Sequence, residues 1–96
     1  MDERSIESRL RLKVKKELGG IAYKFTSPQR RSVPDRLCLL PGGEIFFVEC
    51  KSTGKFPTKL QKQEHETIRS LGFSVHIVDS YESVDILMEI YKNESM

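Results

Sequence analysis

The 96-residue chain has only two cysteines, Cys38 and Cys50, and neither belongs to a CxxC or Cys/His spacing. A zinc site is therefore not expected, and thiols set inside apolar runs read as small buried hydrophobes of a reducing compartment. Long hydrophobic runs are absent too. Nothing approaches the roughly 18 apolar residues of a membrane span, and Met1-Asp2-Glu3-Arg4 lacks a signal-peptide pattern. The expectation is a soluble protein of the cytoplasm, with no membrane among its partners. No internal repeat interrupts the chain, so residues 1–96 are expected to form one domain with one modest core.

Net charge is also small, at +2, but its distribution is lopsided. Residues 1–62 hold 14 Lys and Arg against 7 Asp and Glu, whereas residues 63–96 hold 2 against 7. Basic charge gathered in one half is the footprint of a polyanion partner. For Arg9, Arg11, Lys13, Lys15 and Lys16 taken alone, the solvated face of an amphipathic helix is the better explanation.

What is present can be ordered by periodicity. Ile6, Leu10, Val14 and Leu18 recur at helical spacing from Glu3 to Leu18, and Gly19-Gly20 follows where a helix stop is wanted. Glu7 falls inside the apolar arc, about 120° wide, of that helix. It reads either as a partly exposed partner of Arg11 or as a metal or water ligand. Ile21, Tyr23 and Phe25 then alternate with polar residues as a strand, and Ser27 to Ser32 is a polar loop. Lys24, Arg30 and Arg31 are candidates for phosphate contact there.

Leu37–Leu40 and Ile45–Val48 are short apolar runs bounded by proline and glycine, as two antiparallel strands would be. Pro41-Gly42-Gly43 between them suits a type I turn with Pro41 at its first central position and a glycine closing a bulge. Leu40 then lies opposite Glu44, and counting outward sets Asp35 opposite Glu49, with Lys51 two residues along on the same face. Apolar residues stand on both faces, Leu37, Leu39, Ile45 and Phe47 on one and Cys38, Leu40, Phe46, Val48 and Cys50 on the other. Both faces are therefore expected to be covered. Two carboxylates and an ammonium at the end of such a hairpin need partners or a metal ion. That trio is what metal-assisted phosphodiester hydrolysis uses.

A loop from Ser52 to Pro57, carrying Lys55, precedes a second helix that starts at Thr58, has Leu60, Ile68 and Leu71 on one stripe, and stops at Gly72. Gln61 stands in capping-box spacing with Thr58; on spacing alone a cap is favoured over a residue that orients a water or phosphate. Phe73 to Val78 reads as a fourth strand. Asp79 and Glu82 are candidate caps of a last helix bearing Val84, Leu87, Met88 and Tyr91, and Asn93 to Met96 is expected to be disordered. His65 and His76 form no ligand pair and read as surface or half-buried residues. The order helix, three strands, helix, strand, helix gives an α/β fold with a mixed sheet between helices.

Pro34-Asp35, Glu49-Cys50-Lys51 and this order of elements resemble the PD-(D/E)xK nuclease superfamily, and within it the VRR-NUC family in its small stand-alone, phage-type form. The likeness spans almost the whole chain, through Ile6-Glu7, Gly19-Gly20, Tyr23-Lys24-Phe25, Ser27-Pro28, Val33-Pro34-Asp35-Arg36, Leu40-Pro41-Gly42-Gly43, Phe47-Val48-Glu49-Cys50-Lys51, Gly54-Lys55, Leu60-Gln61 and Leu71-Gly72-Phe73. The resemblance implies the αβββαβα nuclease fold. It makes Asp35 and Glu49 carboxylate metal ligands, the backbone carbonyl of Cys50 a third oxygen donor, and Lys51 the group beside the attacking water. Glu7 and Gln61 match the family's helix glutamate and its glutamine after the ExK triplet. Lys24, Ser27, Arg30, Arg31, Arg36 and Lys55 are the expected DNA contacts. Gln29 and Ser32 depart from the pattern, standing where the family commonly has glycine.

The expected activity is that of a Mg²⁺- or Mn²⁺-dependent endodeoxyribonuclease, since all-oxygen ligands suit hard cations. A homodimer acting on a Holliday junction or other branched DNA follows from the need for paired cuts and from the stand-alone members of the family. The rivals are a non-catalytic nucleic-acid-binding subunit with the same fold, and a structural partner whose strand-end charges only form salt bridges.

Overall fold

The computed structural model describes residues 1–94. Asp2 accepts a hydrogen bond from the Ser5 amide at 2.8 Å and so caps α1 (Glu3–Leu18), whose bounds are those the periodicity gives. α1 buries Ile6, Leu10 and Val14. At its end the chain turns sharply into β1 (Ile21–Lys24), and a Cβ on Gly20 would stand 2.4 Å from the Leu39 carbonyl oxygen, so only glycine fits there.

β2 (Arg36–Leu39) and β3 (Ile45–Cys50) form the expected hairpin. Their pairing, Arg36 to Val48 and Leu39 to Ile45, sets Asp35 opposite Glu49 in the register read from the sequence. The turn differs. The Gly43 amide donates to the Leu40 carbonyl across Pro41-Gly42, and Gly42 has a φ of 88°. A positive φ at the second central position is the mark of a type II turn, not type I, and glycine there makes it available.

α2 (Lys59–Ser70) carries the chain to β4 (Ser74–Val78), which pairs parallel to β3, and α3 (Tyr81–Glu94) closes the fold. The sheet order is β1-β2-β3-β4, antiparallel through β3 and parallel at the last pair. α3 buries Val84, Leu87, Met88 and Tyr91 as the apolar stripe predicts. Its first turn is closed by Ser80, whose Oγ accepts from the Ser83 amide at 3.0 Å, rather than by Asp79. Asn93 and Glu94 belong to this helix, contrary to the expected disorder; residues 95 and 96 lie outside the described residues.

α1 and α3 pack side by side on one face of the sheet, over Ala22, Cys38, Phe46, Val48, Cys50 and Val78. Phe46 stacks on Tyr91 with ring centroids 3.9 Å apart. The opposite face carries α2, which packs against β4 and leaves β1 to β3 largely open. The expectation that both faces are covered therefore fails: Leu39 is 38 % exposed and Ile45 40 %. The predicted α2 stripe holds only at Ile68, which is half-buried. Leu60 and Leu71 are 64 % and 71 % exposed, and the residues α2 buries are Glu64 and His65.

Candidate active site

The end of the β2–β3 hairpin gathers charge because the ladder changes character there. Asp35 Oδ2 accepts from the Cys50 amide at 2.8 Å. The next amide along, Lys51, donates the other way, to the Val78 carbonyl on β4 at 2.9 Å. Continuing the β2–β3 register puts Pro34 opposite Cys50. Proline has no N–H to give, so the Cys50 carbonyl lacks the donor that a ladder would supply. Proline thus turns a strand end into an oxygen donor beside two carboxylates.

Glu49 projects to the face opposite the main core and is 1 % exposed. Its Oε2 accepts from Gln61 Nε2 at 3.2 Å and lies 3.3 Å from Lys51 Nζ. Its Oε1 is buried without a hydrogen-bond partner. Burial, then the charge of Asp35, push the Glu49 carboxyl up to about 7, against the opposing pull of Lys51. A carboxylate so destabilised, with one oxygen unused, is a group that a cation would satisfy.

Gln61 caps α2 and also faces the site, where its partner is Glu49. Its Oε1 accepts from the Thr58 amide at 2.8 Å and its own amide donates to Thr58 Oγ1 at 3.1 Å, completing the capping box. Its Nε2 remains free to face Glu49. The start of α2 is thereby tied to the end of β3 through one side chain.

His65 was missed by periodicity. It is 1 % exposed, with Nε2 3.8 Å from Glu49 Oε1 and no hydrogen bond of its own. Burial first, then Arg69 and Lys51, lower its pKa, so the ring is neutral at pH 7 and walls the carboxylate off from water. The one signal in the sequence is that His65 follows Gln61 at i+4 and so shares its helix face.

Glu7 is buried, but its partners are not Arg11. Its Oε1 takes Lys24 Nζ at 3.1 Å and Arg36 Nε at 3.0 Å. Arg36 also donates to the Ala22 carbonyl, and its side chain is only 15 % exposed, so it is held within the fold rather than presented to a phosphate. Among the described residues no three His, Cys, Asp or Glu side chains converge as a metal cluster. Two carboxylates, a backbone carbonyl and water are the shell that a magnesium ion accepts, since it usually keeps several waters and takes one or two carboxylates. The donors present fit such an ion.

No family model matches the chain. It is 53 % identical over 85 residues to "Putative nuclease p44" of Acyrthosiphon pisum secondary endosymbiont phage 1, covering 88 % of this chain and 90 % of that one. A solved structure described as a VRR_NUC domain superposes with a TM-score of 0.86 at 36 % identity, over 93 % of this chain and 96 % of the other. The chain belongs to the VRR-NUC nuclease family.

The remaining candidates of this VRR-NUC protein fall around the site's rim. Arg30 is clamped by Glu64, with Nε and Nη2 donating to its two oxygens at 2.9 and 2.6 Å. Ser27 Oγ accepts from the Arg30 amide at 3.2 Å and so shapes the loop. Arg31 and Lys55 are exposed, as is Lys24 beyond its contact with Glu7. Ser32, where the family commonly has glycine, holds a φ of 67°.

Proposed function

We propose that this VRR-NUC protein is a Mg²⁺- or Mn²⁺-dependent endonuclease that hydrolyses phosphodiester bonds in DNA, branched junctions above all, and works as a homodimer. The observation that carries the reading is the strand end where Asp35, Glu49 and the Cys50 carbonyl meet beside Lys51, with Glu49 Oε1 left unpartnered. Asp35, Glu49 and the Cys50 carbonyl would hold the ion. Bound there, a divalent cation supplies Lewis acidity toward the scissile phosphate and lowers the pKa of a coordinated water.

The chain's own groups do the rest. Lys51 places a fixed ammonium where charge builds on the phosphorane-like transition state and helps orient the attacking water. Gln61 fixes the rotamer of Glu49 through Nε2. His65 excludes bulk water from Glu49 Oε1. Glu7 acts as a positioning residue, holding Lys24 and Arg36 at the β1–β2 edge. Arg31, Lys55, Lys24 and the Ser27–Arg30 loop contact the sugar-phosphate backbone. One site cuts one strand, so opposed cuts at a junction need two subunits. A purely binding role is disfavoured, because buried carboxylates facing a phosphate backbone only weaken binding unless a cation lies between them.

Titration calorimetry with Mn²⁺, paired with cleavage of junction, flap, linear and single-stranded DNA, tests this. Wild type should bind Mn²⁺ and cut only with metal. Asp35→Ala should lose both binding and turnover, and Lys51→Ala should lose turnover while still binding DNA. Full cleavage by either variant would overturn the assignment.

A further inference from the structure

An open groove of about 940 Å³ runs along the outer face of α1, and Tyr81 at the start of α3 forms part of its wall. Five cations line it, Arg4, Arg9, Lys13, Lys15 and Lys16, and none of its lining residues is Asp or Glu. Their surroundings divide the five. Arg9 is held over the Tyr81 ring at 4.5 Å and donates to both oxygens of Asp85, while Lys13 Nζ lies 2.8 Å from Glu17 and 3.3 Å from Asp85. Those two charges are spent within the fold. Arg4, Lys15 and Lys16 are exposed and, among the described residues, make no ion pair. With a rise of ~1.5 Å and a turn of ~100° per residue, Arg4 and Lys15 share one stripe about 16 Å long, with Ser8 between them. The Arg4 end abuts the candidate metal site. The Thr53 amide, two residues past Lys51, donates to the Met1 carbonyl at 3.1 Å, and Glu7, one turn past Arg4, holds Arg36, the neighbour of Asp35.

We propose that this groove seats the sugar-phosphate backbone of the DNA arm that leaves the cutting site, a second contact made by charge alone. That the occupant is DNA rests on the nuclease reading above, whereas the unpaired cations do not. A merely solvated helix face intersperses both signs of charge and laces them into salt bridges. Here the acids of α1, Glu3, Glu7 and Glu17, all fall outside the groove. One strand of a duplex carries a phosphate every ~3.4 Å of its axis, so the ~18 Å from Arg4 to Lys16 run beside about five of them. Ser5 and Ser8, which also line the groove, add hydroxyls able to donate to phosphate oxygens. An apolar partner is a poorer occupant, because Leu12 and Tyr81, 57 and 37 % exposed, stand among five positive charges. Contacts of this kind fix where an arm lies without reading its sequence.

Binding of metal-free protein to a linear duplex of about 30 base pairs, followed by fluorescence anisotropy across a salt series, tests this. Arg4→Ala, Lys15→Ala and Lys16→Ala combined should weaken binding at least tenfold at low salt. The slope of log K against log salt should become shallower by about 2 to 3, as the loss of three phosphate contacts requires, with an unchanged circular-dichroism spectrum. Leu12→Ala, in the same groove but without charge, should bind within about twofold of wild type. Should the triple variant unfold, Arg4→Gln alone should make the slope shallower by about one. A folded triple variant with wild-type affinity and slope overturns the proposal, and so does a wild type that binds no duplex. A Leu12→Ala protein that loses as much affinity as the triple variant overturns it too, by marking an apolar contact. Cleavage with Mg²⁺ separates this from the nuclease reading. A wild type that cuts DNA, beside a triple variant that binds and cuts equally well, sinks the groove and leaves the nuclease. A wild type that never cuts, beside a triple variant with the expected loss of affinity and slope, sinks the nuclease and leaves the groove.

Discussion

Glu49 Oε1 and His65 Nε2 face each other at 3.8 Å, sealed from solvent, and neither is hydrogen-bonded. Two neighbours so placed make the metal-free fold sensitive to proton concentration. Glu49 is raised from 4.5 to about 7, chiefly by burial and then by Asp35, so the folded chain holds a proton that the unfolded chain releases. Its contribution to stability is full below pH 4.5 and is lost as pH rises through about 7. Urea melts of metal-free protein should show a fall of ~3 kcal/mol from this group between pH 4.5 and 8. Glu49→Gln should remove that component of the slope.

His65→Ala takes away the wall. We expect a loss of about 2 kcal/mol from the cavity, measured by denaturant unfolding. Water reaching Glu49 would relieve the burial that raises its carboxyl, so the pH dependence of metal-free stability should shift to lower pH.

Gln61 allows its two roles to be separated. Gln61→Glu keeps the capping box, because a glutamate at that position accepts from the Thr58 amide equally well. It removes the donor to Glu49 and adds a third acid. Stability measured at pH 5 should change by less than about 1 kcal/mol, while metal affinity or cleavage falls about 10- to 100-fold. Equal losses in both measurements would assign Gln61 to the cap alone.

Ser32 holds a left-handed backbone with a side chain, at a cost of about 1 kcal/mol. Ser32→Gly should therefore raise stability by up to that amount, read as a higher midpoint in thermal or urea unfolding. A drop would mean that the strain is not there.

Much of this arrangement was legible in the residues. The bounds of α1 followed from apolar spacing and Gly19, and the Asp35–Glu49 register followed from counting outward from Pro41-Gly42-Gly43. What stayed hidden is physical in kind. Periodicity assumes that a helix turns its apolar stripe inward, yet α2 turns Gln61 and His65 toward Glu49, and Arg30 pins Glu64. Leu60 and Leu71 are left outside as a result. Alternation along β2 and β3 likewise reports that both faces are apolar, but not that a single short helix is too small to roof four strands. The turn type depended on the sign of φ at Gly42, which glycine leaves open in either direction.

Adjacent peptide groups at Cys50 and Lys51 are anchored to opposite neighbours, one to the Asp35 side chain and the other to the β4 backbone. The two anchors thus fix the backbone from which the acid and the amine project. Side-chain repacking nearby can tune this centre but cannot rebuild it, and inserting one residue between positions 49 and 51 would uncouple both anchors at once.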